Sequence, residues 1–249
     1  MEGPARRPGI LRRLVDPMSY LGAHVGDVVP RLQRLADEGE STLGVATAIL
    51  LAIALQYSLP NRVSHYQRWV FPSVALVLVS LIVLGHRGRI NERSTLLRSL
   101  TLFLVALMAV ANGISAGRLV RDLVAGEGIH QPATLLFAGA AIWLTNVIVF
   151  ALVYWLFDGG GPVARFELKE RAPRSFLFPQ HQMDPGEPER MHWAPVFFDY
   201  FYTSFTNATA FSPTDVMPLT RWAKFAMMLE SALSLVLAIL VVARAVNIL

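Results

Sequence analysis

The sequence predicts an all-α integral membrane protein with about five transmembrane helices, plus a re-entrant half-helix and loop before the last helix. Three observations carry this reading. Of 249 residues, 54% are hydrophobic and 16% are charged, whereas a soluble domain carries roughly a quarter charged residues. The apolar residues are blocked rather than alternating, with stretches of 18 to 30 residues that lack any charge. The last apolar block is preceded by a short aromatic run and a hydroxyl-rich loop.

Residues 1–41 form a basic N-terminal segment punctuated by Pro4, Pro8, Pro17 and Pro30. Ile10, Leu11, Leu14 and Val15 with Arg12 and Arg13 describe a short basic amphipathic helix on an anionic membrane surface. A solvated tail is the competing reading. Six arginines and no long apolar core in the first 40 residues argue against a cleavable signal peptide. The net charge of +4 sits in short clusters between apolar stretches, as lipid headgroups and topology require. Nucleic acid is therefore not an expected partner. The absence of cysteine excludes disulfides, thiol catalysis and thiolate metal sites.

Residues 42–131 hold three expected spans, near Thr42–Leu59, Trp69–Leu84 and Leu96–Val120. A fourth runs over 132–157. Each reaches across a hydrocarbon core of about 30 Å at about 1.5 Å per residue, the second marginally. The fourth ends in Trp155 and Phe157, an expected aromatic anchor, and then stops at Asp158-Gly159-Gly160-Gly161. Gly113 and Gly117 stand one turn apart on the third span and permit close helix contact. Asn112 and Asn146 lie mid-membrane; bridging to a neighbouring helix is the simpler reading and an ion pathway the other.

The linker 158–196 is rich in Pro, Glu and Arg. Within it Val163–Leu168 alternates like a short strand that Ser175–Phe178 could pair with. Phe197–Thr206 follows, about 15 Å as a helix, or half a bilayer. The loop after it, Asn207 to Asp215, is polar and contains Pro213. Such backbone is tolerated at membrane depth only when buried in protein or lining a water-filled cavity. Half-helix, polar loop and full span (221–248) together describe a re-entrant loop; a poor sixth span over 197–217 is the alternative. Asn207-Ala208-Thr209 matches a glycosylation acceptor, which a buried loop would make accidental.

From these residues the C-terminal half resembles the pore module of two-helix tetrameric potassium channels. Tyr202-Thr203-Ser204-Phe205 stands at the pore helix and Asp215 at the terminal acid of the filter. Pro218-Leu219-Thr220-Arg221-Trp222-Ala223-Lys224 reproduces the lead-in to the inner helix. Leu229-Glu230-Ser231 and Ala243-Arg244-Ala245 look like inner-helix patterns of that superfamily. The resemblance covers residues 132–249 and implies an outer helix (132–157), a pore helix and loop (197–217) and an inner helix (221–248). The chain also looks like bacterial multi-pass membrane proteins with altered versions of this loop. What the resemblance implies is a homo-oligomer, a tetramer, in a bacterial inner (plasma) membrane, with lipid, itself and monovalent cations as partners.

The departure from the family is at the filter. Where four residues should supply aligned carbonyls, the chain reads Phe211-Ser212-Pro213-Thr214, preceded by Thr209 and Ala210. Glycines let successive carbonyls point one way, and Pro213 fixes φ near −65°. No glycine follows Gly186, and the inner-helix hinge position carries Ser234. Hydroxyls at Thr209, Ser212 and Thr214 and an acidic ring at Asp215 could still favour cations. Alternatively, Asp215 and Ser212 cap the loop. Glu230, about two turns inside the last span, is costly there: it faces a water-filled axis or pairs with Lys224 or Arg221.

Charge counting sets the sidedness. Segments 1–41, 85–98 and 158–196 carry six, four and five Lys/Arg, against two each at 60–69 and 118–131. The richer side is expected to be cytoplasmic, which inverts the pore loop relative to a potassium channel. Three functions compete: a weakly selective cation channel, a non-conducting scaffold for lipid or a partner, and a small transporter. The transporter lacks a second copy of 197–249. His65, His130, His181 and His192 are scattered, with no catalytic motif, so neither an enzyme nor a cofactor is expected.

Overall fold

The computed structural model describes residues 40–60, 67–85, 89–90, 95–126, 129–168, 172–183, 193–209 and 215–248. The basic segment through residue 39 and the filter-like residues Ala210, Phe211, Ser212, Pro213 and Thr214 lie outside them. The described chain is mostly helical. In order come β1 (Glu40–Ser41), α1 (Thr42–Ser58), α2 (Gln67–Gly85), β2 (Arg89–Ile90), α3 (Thr95–Val124), α4 (Pro132–Phe157) and α5 (Pro162–Leu168). β3 (Phe176–Leu177), α6 (Phe197–Thr209), β4 (Met217–Pro218) and α7 (Arg221–Asn247) complete the order.

Among the described residues three helices are long and apolar enough to cross a membrane: α3, α4 and α7, with 29, 29 and 27 residues in their apolar stretches. At about 1.5 Å per residue each exceeds a core of about 30 Å. α1 and the apolar part of α2 are shorter. Local chemistry sets the ends. Pro60 discourages helix in the residue before it, α3 closes at Gly126 with φ 74°, and Pro132 opens α4 where its missing N–H has no partner to lose.

α4 is the axis of the chain. Its apolar stretch is 67% buried, against 28% for α7, because α1, α3, α6 and α7 all pack on it. Two apolar clusters lie along it. One joins Val45, Leu152, Tyr154, Phe176, Tyr200 and Ala223; the other joins Leu59, Leu119, Leu135, Ile142, Val241 and Ala245. They mark opposite ends of the helical bundle. At the first end β1 pairs antiparallel with β2, Glu40 opposite Ile90. There too β3 pairs with β4, Phe176 opposite Pro218 and Leu177 opposite Met217. Arg244 donates to Gly126 O at 3.0 Å at the second end.

Several sequence expectations are corrected. Residues 163–168 lie in helix α5, not a strand, because Pro162 presets helical φ at the first position. The partner of Phe176–Leu177 is β4 instead. Trp155 is no interfacial anchor: it is 2% exposed and packs edge-on against Phe197, while Phe157 remains exposed. Gly113 and Gly117 meet nothing within 4 Å of where a Cβ would stand. The close helix approach is at Gly139, where a Cβ would lie 2.8 Å from both methyls of Val241. The mid-membrane amides do bridge helices, Gln56 to Asn112 at 3.3 Å and Asn146 to Ser234 at 3.3 Å.

Candidate functional site: the junction of the fourth helix, the half-helix and the last helix

Two polar nodes fasten α4, α6 and α7 together. The first caps α4. Asp158 is 1% exposed; its Oδ1 accepts the Ser175 and Phe176 N–H groups at 2.6 and 3.3 Å, and its Oδ2 accepts Tyr200 O–H at 2.6 Å. Arg165 folds back so that one Nη donates to Trp155 O and Asp158 O, each at 2.6 Å. These helix-end carbonyls are the groups a cation satisfies best. The fold-back needs Gly159, at φ 61°, because a Cβ there would collide with Arg165 Cγ. The guanidinium also lies 4.9 Å from the Tyr200 ring centre, within cation–π range. Trp222, at the start of α7, joins by donating Nε1–H to Ser175 Oγ at 3.1 Å. Leu219 N–H extends the strand pairing to Ser175 O at 2.8 Å.

The second node centres on Glu230, which is completely buried. Its Oε2 accepts Tyr154 O–H from α4 and an Asn207 amide N–H from α6, both at 2.6 Å. Its Oε1 meets the Ser204 hydroxyl, which also lies 2.7 Å from Val147 O. Asn207 uses its second N–H on Met227 O at 2.9 Å, and Ser231 donates to Asn207 Oδ1 at 3.1 Å. Buried polar groups are tolerated only when each has a partner, and here those partners tie α4, α6 and α7 to one another. The amide of Asn207 is thus committed inside the bundle, as a glycosylation acceptor could not be.

The sequence-nominated residues fall into separate places. Glu230 and Ser234 belong to the interface with α4 and α6. Glu230 pairs with neither Lys224 nor Arg221, both exposed, because its i, i+4, i+7 stripe with Ser234 and Leu237 faces α4 rather than those cations. Nor does it face an open axis. Thr209 ends α6 and donates to Thr206 O at 2.8 Å. Asp215 is exposed, with Tyr202 O–H at 3.5 Å, the outer limit of a hydrogen bond. Asp199, in the first turn of α6, accepts Val196 N–H at 2.8 Å. Burial raises its carboxyl above the usual range, and that hydrogen bond opposes the shift.

Sequence reasoning passed over Tyr154 and Tyr200, and named Asp158, Ser204 and Asn207 only as a helix stop, as part of the pore-helix match and as the start of the polar loop, not as members of these nodes. A signal existed: Phe197, Tyr200, Ser204 and Ala208 repeat at helical spacing and are all buried. That stripe mixes hydroxyls with aromatics, so apolar periodicity alone passes over it. Among the described residues no group of three or more His, Cys, Asp or Glu could hold a metal ion. Comparison with family models, curated proteins and solved structures returned no match for this chain.

Proposed function

We propose that the chain is an ion-channel-like membrane protein with five spans (α1, α2, α3, α4 and α7), in which α6 is a re-entrant half-helix. One observation carries this reading: the strand pairing of β3 with β4 returns the chain, after α6, to the end of the bundle where α6 begins. Tyr200 in the first turn of α6 meets Asp158 at the end of α4, and Phe205 packs on Trp143 further along it, ring centres 5.6 Å apart. α6 thus runs antiparallel to α4 for about half its length, at about 20 Å for 13 residues. Then Met217–Pro218 lies back beside Phe176. A through-span would have left β4 at the opposite end.

This is the arrangement expected of outer helix, pore helix and inner helix, and it supports the resemblance to two-helix potassium channels. Asp215, exposed at the starting end of α6, would form an acidic ring in a tetramer and attract cations without discriminating between ions of equal charge. In planar bilayers under a potassium–sodium gradient, purified protein is expected to pass cations with weak selectivity, reduced by Asp215→Asn. Strong potassium selectivity would overturn the reading of Phe211–Thr214. A silent protein at all voltages would favour the second reading, a non-conducting scaffold. That reading draws on Glu230 and Ser234, which are spent on holding α4, α6 and α7 together instead of lining a path.

A further inference from the structure

Around Ser204 the hydrogens and the contacts do not match in number. Its oxygen lies 2.7 Å from Val147 O and in hydrogen-bonding contact with Glu230 Oε1. A serine hydroxyl carries one hydrogen, and two oxygens this close repel unless a hydrogen stands between them. The other donors at hand are committed. Tyr154 O–H goes to Oε2, and the two N–H groups of the Asn207 amide go to Oε2 and to Met227 O. An ionised carboxylate therefore leaves one oxygen pair without a hydrogen.

One proton removes the conflict. With it on Oε1, the acid donates to Ser204, Ser204 donates to Val147 O, and Oε2 accepts from Tyr154 and Asn207. We propose that Glu230 is a proton-binding site inside the membrane, its proton bridging α7 to α6 through Ser204.

The surroundings agree. From α4 the titratable group that meets the carboxyl is Tyr154; from α6, Ser204 and Asn207 carry no charge. Lys224 and Arg221, on α7 itself, are exposed, and among the described residues Glu230 forms no ion pair. Asp158, one turn beyond Tyr154, is occupied by Tyr200 and two backbone N–H groups. Among the described residues no cation compensates a charge in a place where an uncompensated carboxylate is expensive. Losing the proton restores the repulsive contact, and α6 loosens from α7. The proton site is independent of whether the protein conducts.

The test uses the full chain in lipid nanodiscs. Infrared spectra at neutral pH should contain a protonated-carboxyl C=O band that shifts in D2O and is missing from E230Q. The Gln amide can donate to Ser204 while its carbonyl accepts from Tyr154 and Asn207, so E230Q should keep the wild-type Tm and E230A should not. If E230A fails to accumulate, S204A, which removes the acceptor of the proton, serves as the low reference. Absence of a Glu230-dependent band, or an E230Q that melts as low as the reference variant, would overturn the proposal and assign an ionised carboxylate.

Discussion

Gly139 illustrates how a single missing side chain sets a helix separation. Its neighbour across the α4–α7 contact is Val241, whose two methyls would each lie 2.8 Å from an added Cβ. A β-branched side chain buried at that point has no flexible end to withdraw. Gly139→Ala is therefore expected to lower stability by about 1–3 kcal/mol, the usual scale of overpacking. Val241→Ala on the same background should recover most of that loss, because the clash disappears with the methyls. Thermal melts of the two single variants and the double variant would check this; additive losses would show that the contact is looser than described. The same scale explains Glu230. Its identity and depth were legible in the sequence, but its three partners come from positions 26, 23 and 76 residues away, which no local pattern connects.

Among the elements, α6 is fastened by hydrogen bonds to both α4 and α7 through Tyr200, Ser204 and Asn207. Its boundaries were nearly legible, Phe197–Thr206 against Phe197–Thr209, because aromatic residues stop where the hydroxyl-rich loop starts. Its docking was not, since two polar nodes and a two-residue strand pair decide it. The strand pair gives a direct test. Leu177 and Met217 are directly opposed in antiparallel register, with Cα atoms expected about 5.5 Å apart, inside the range a disulfide spans. In a chain without cysteine, Leu177→Cys with Met217→Cys should crosslink under mild oxidation and shift mobility on a non-reducing gel. Leu177→Cys paired with Val246→Cys, at the far end of α7, should not. Equal crosslinking of both pairs would contradict the return of the chain after α6.

For the whole molecule the question is sidedness. The end of the bundle holding β1, β2, β3 and β4 is also the end at which segments 1–41, 85–98 and 158–196 attach, and these carry fifteen Lys/Arg against four on the other connections. That end is expected in the cytoplasm. A cysteine placed at Gly160 should resist an impermeant thiol reagent on intact cells and react after permeabilisation. Met217→Cys should behave in the same way, since β4 and the linker share one end. Labelling of both from outside would reverse the molecule, and labelling of one alone would make 197–217 a through-span.

Membrane residence, the positions of the long apolar helices and the half-length of α6 were determined by the sequence itself. The reason is physical: span length and hydrophobicity are local quantities set by contact with lipid, so a window of about twenty residues contains them. The tertiary structure decided what local chemistry leaves open. It made α4 the buried axis, turned Glu230 inward to Tyr154, Ser204 and Asn207, and moved the close helix approach from Gly113 and Gly117 to Gly139. It also joined Phe176 to Pro218 across the linker and α6. Inside a bilayer, lipid tails are as apolar as a leucine side chain, so burial alone does not choose which helices meet. Hydrogen bonds between distant residues and the fit of one glycine against one valine make that choice, and both exist only once the chain has folded.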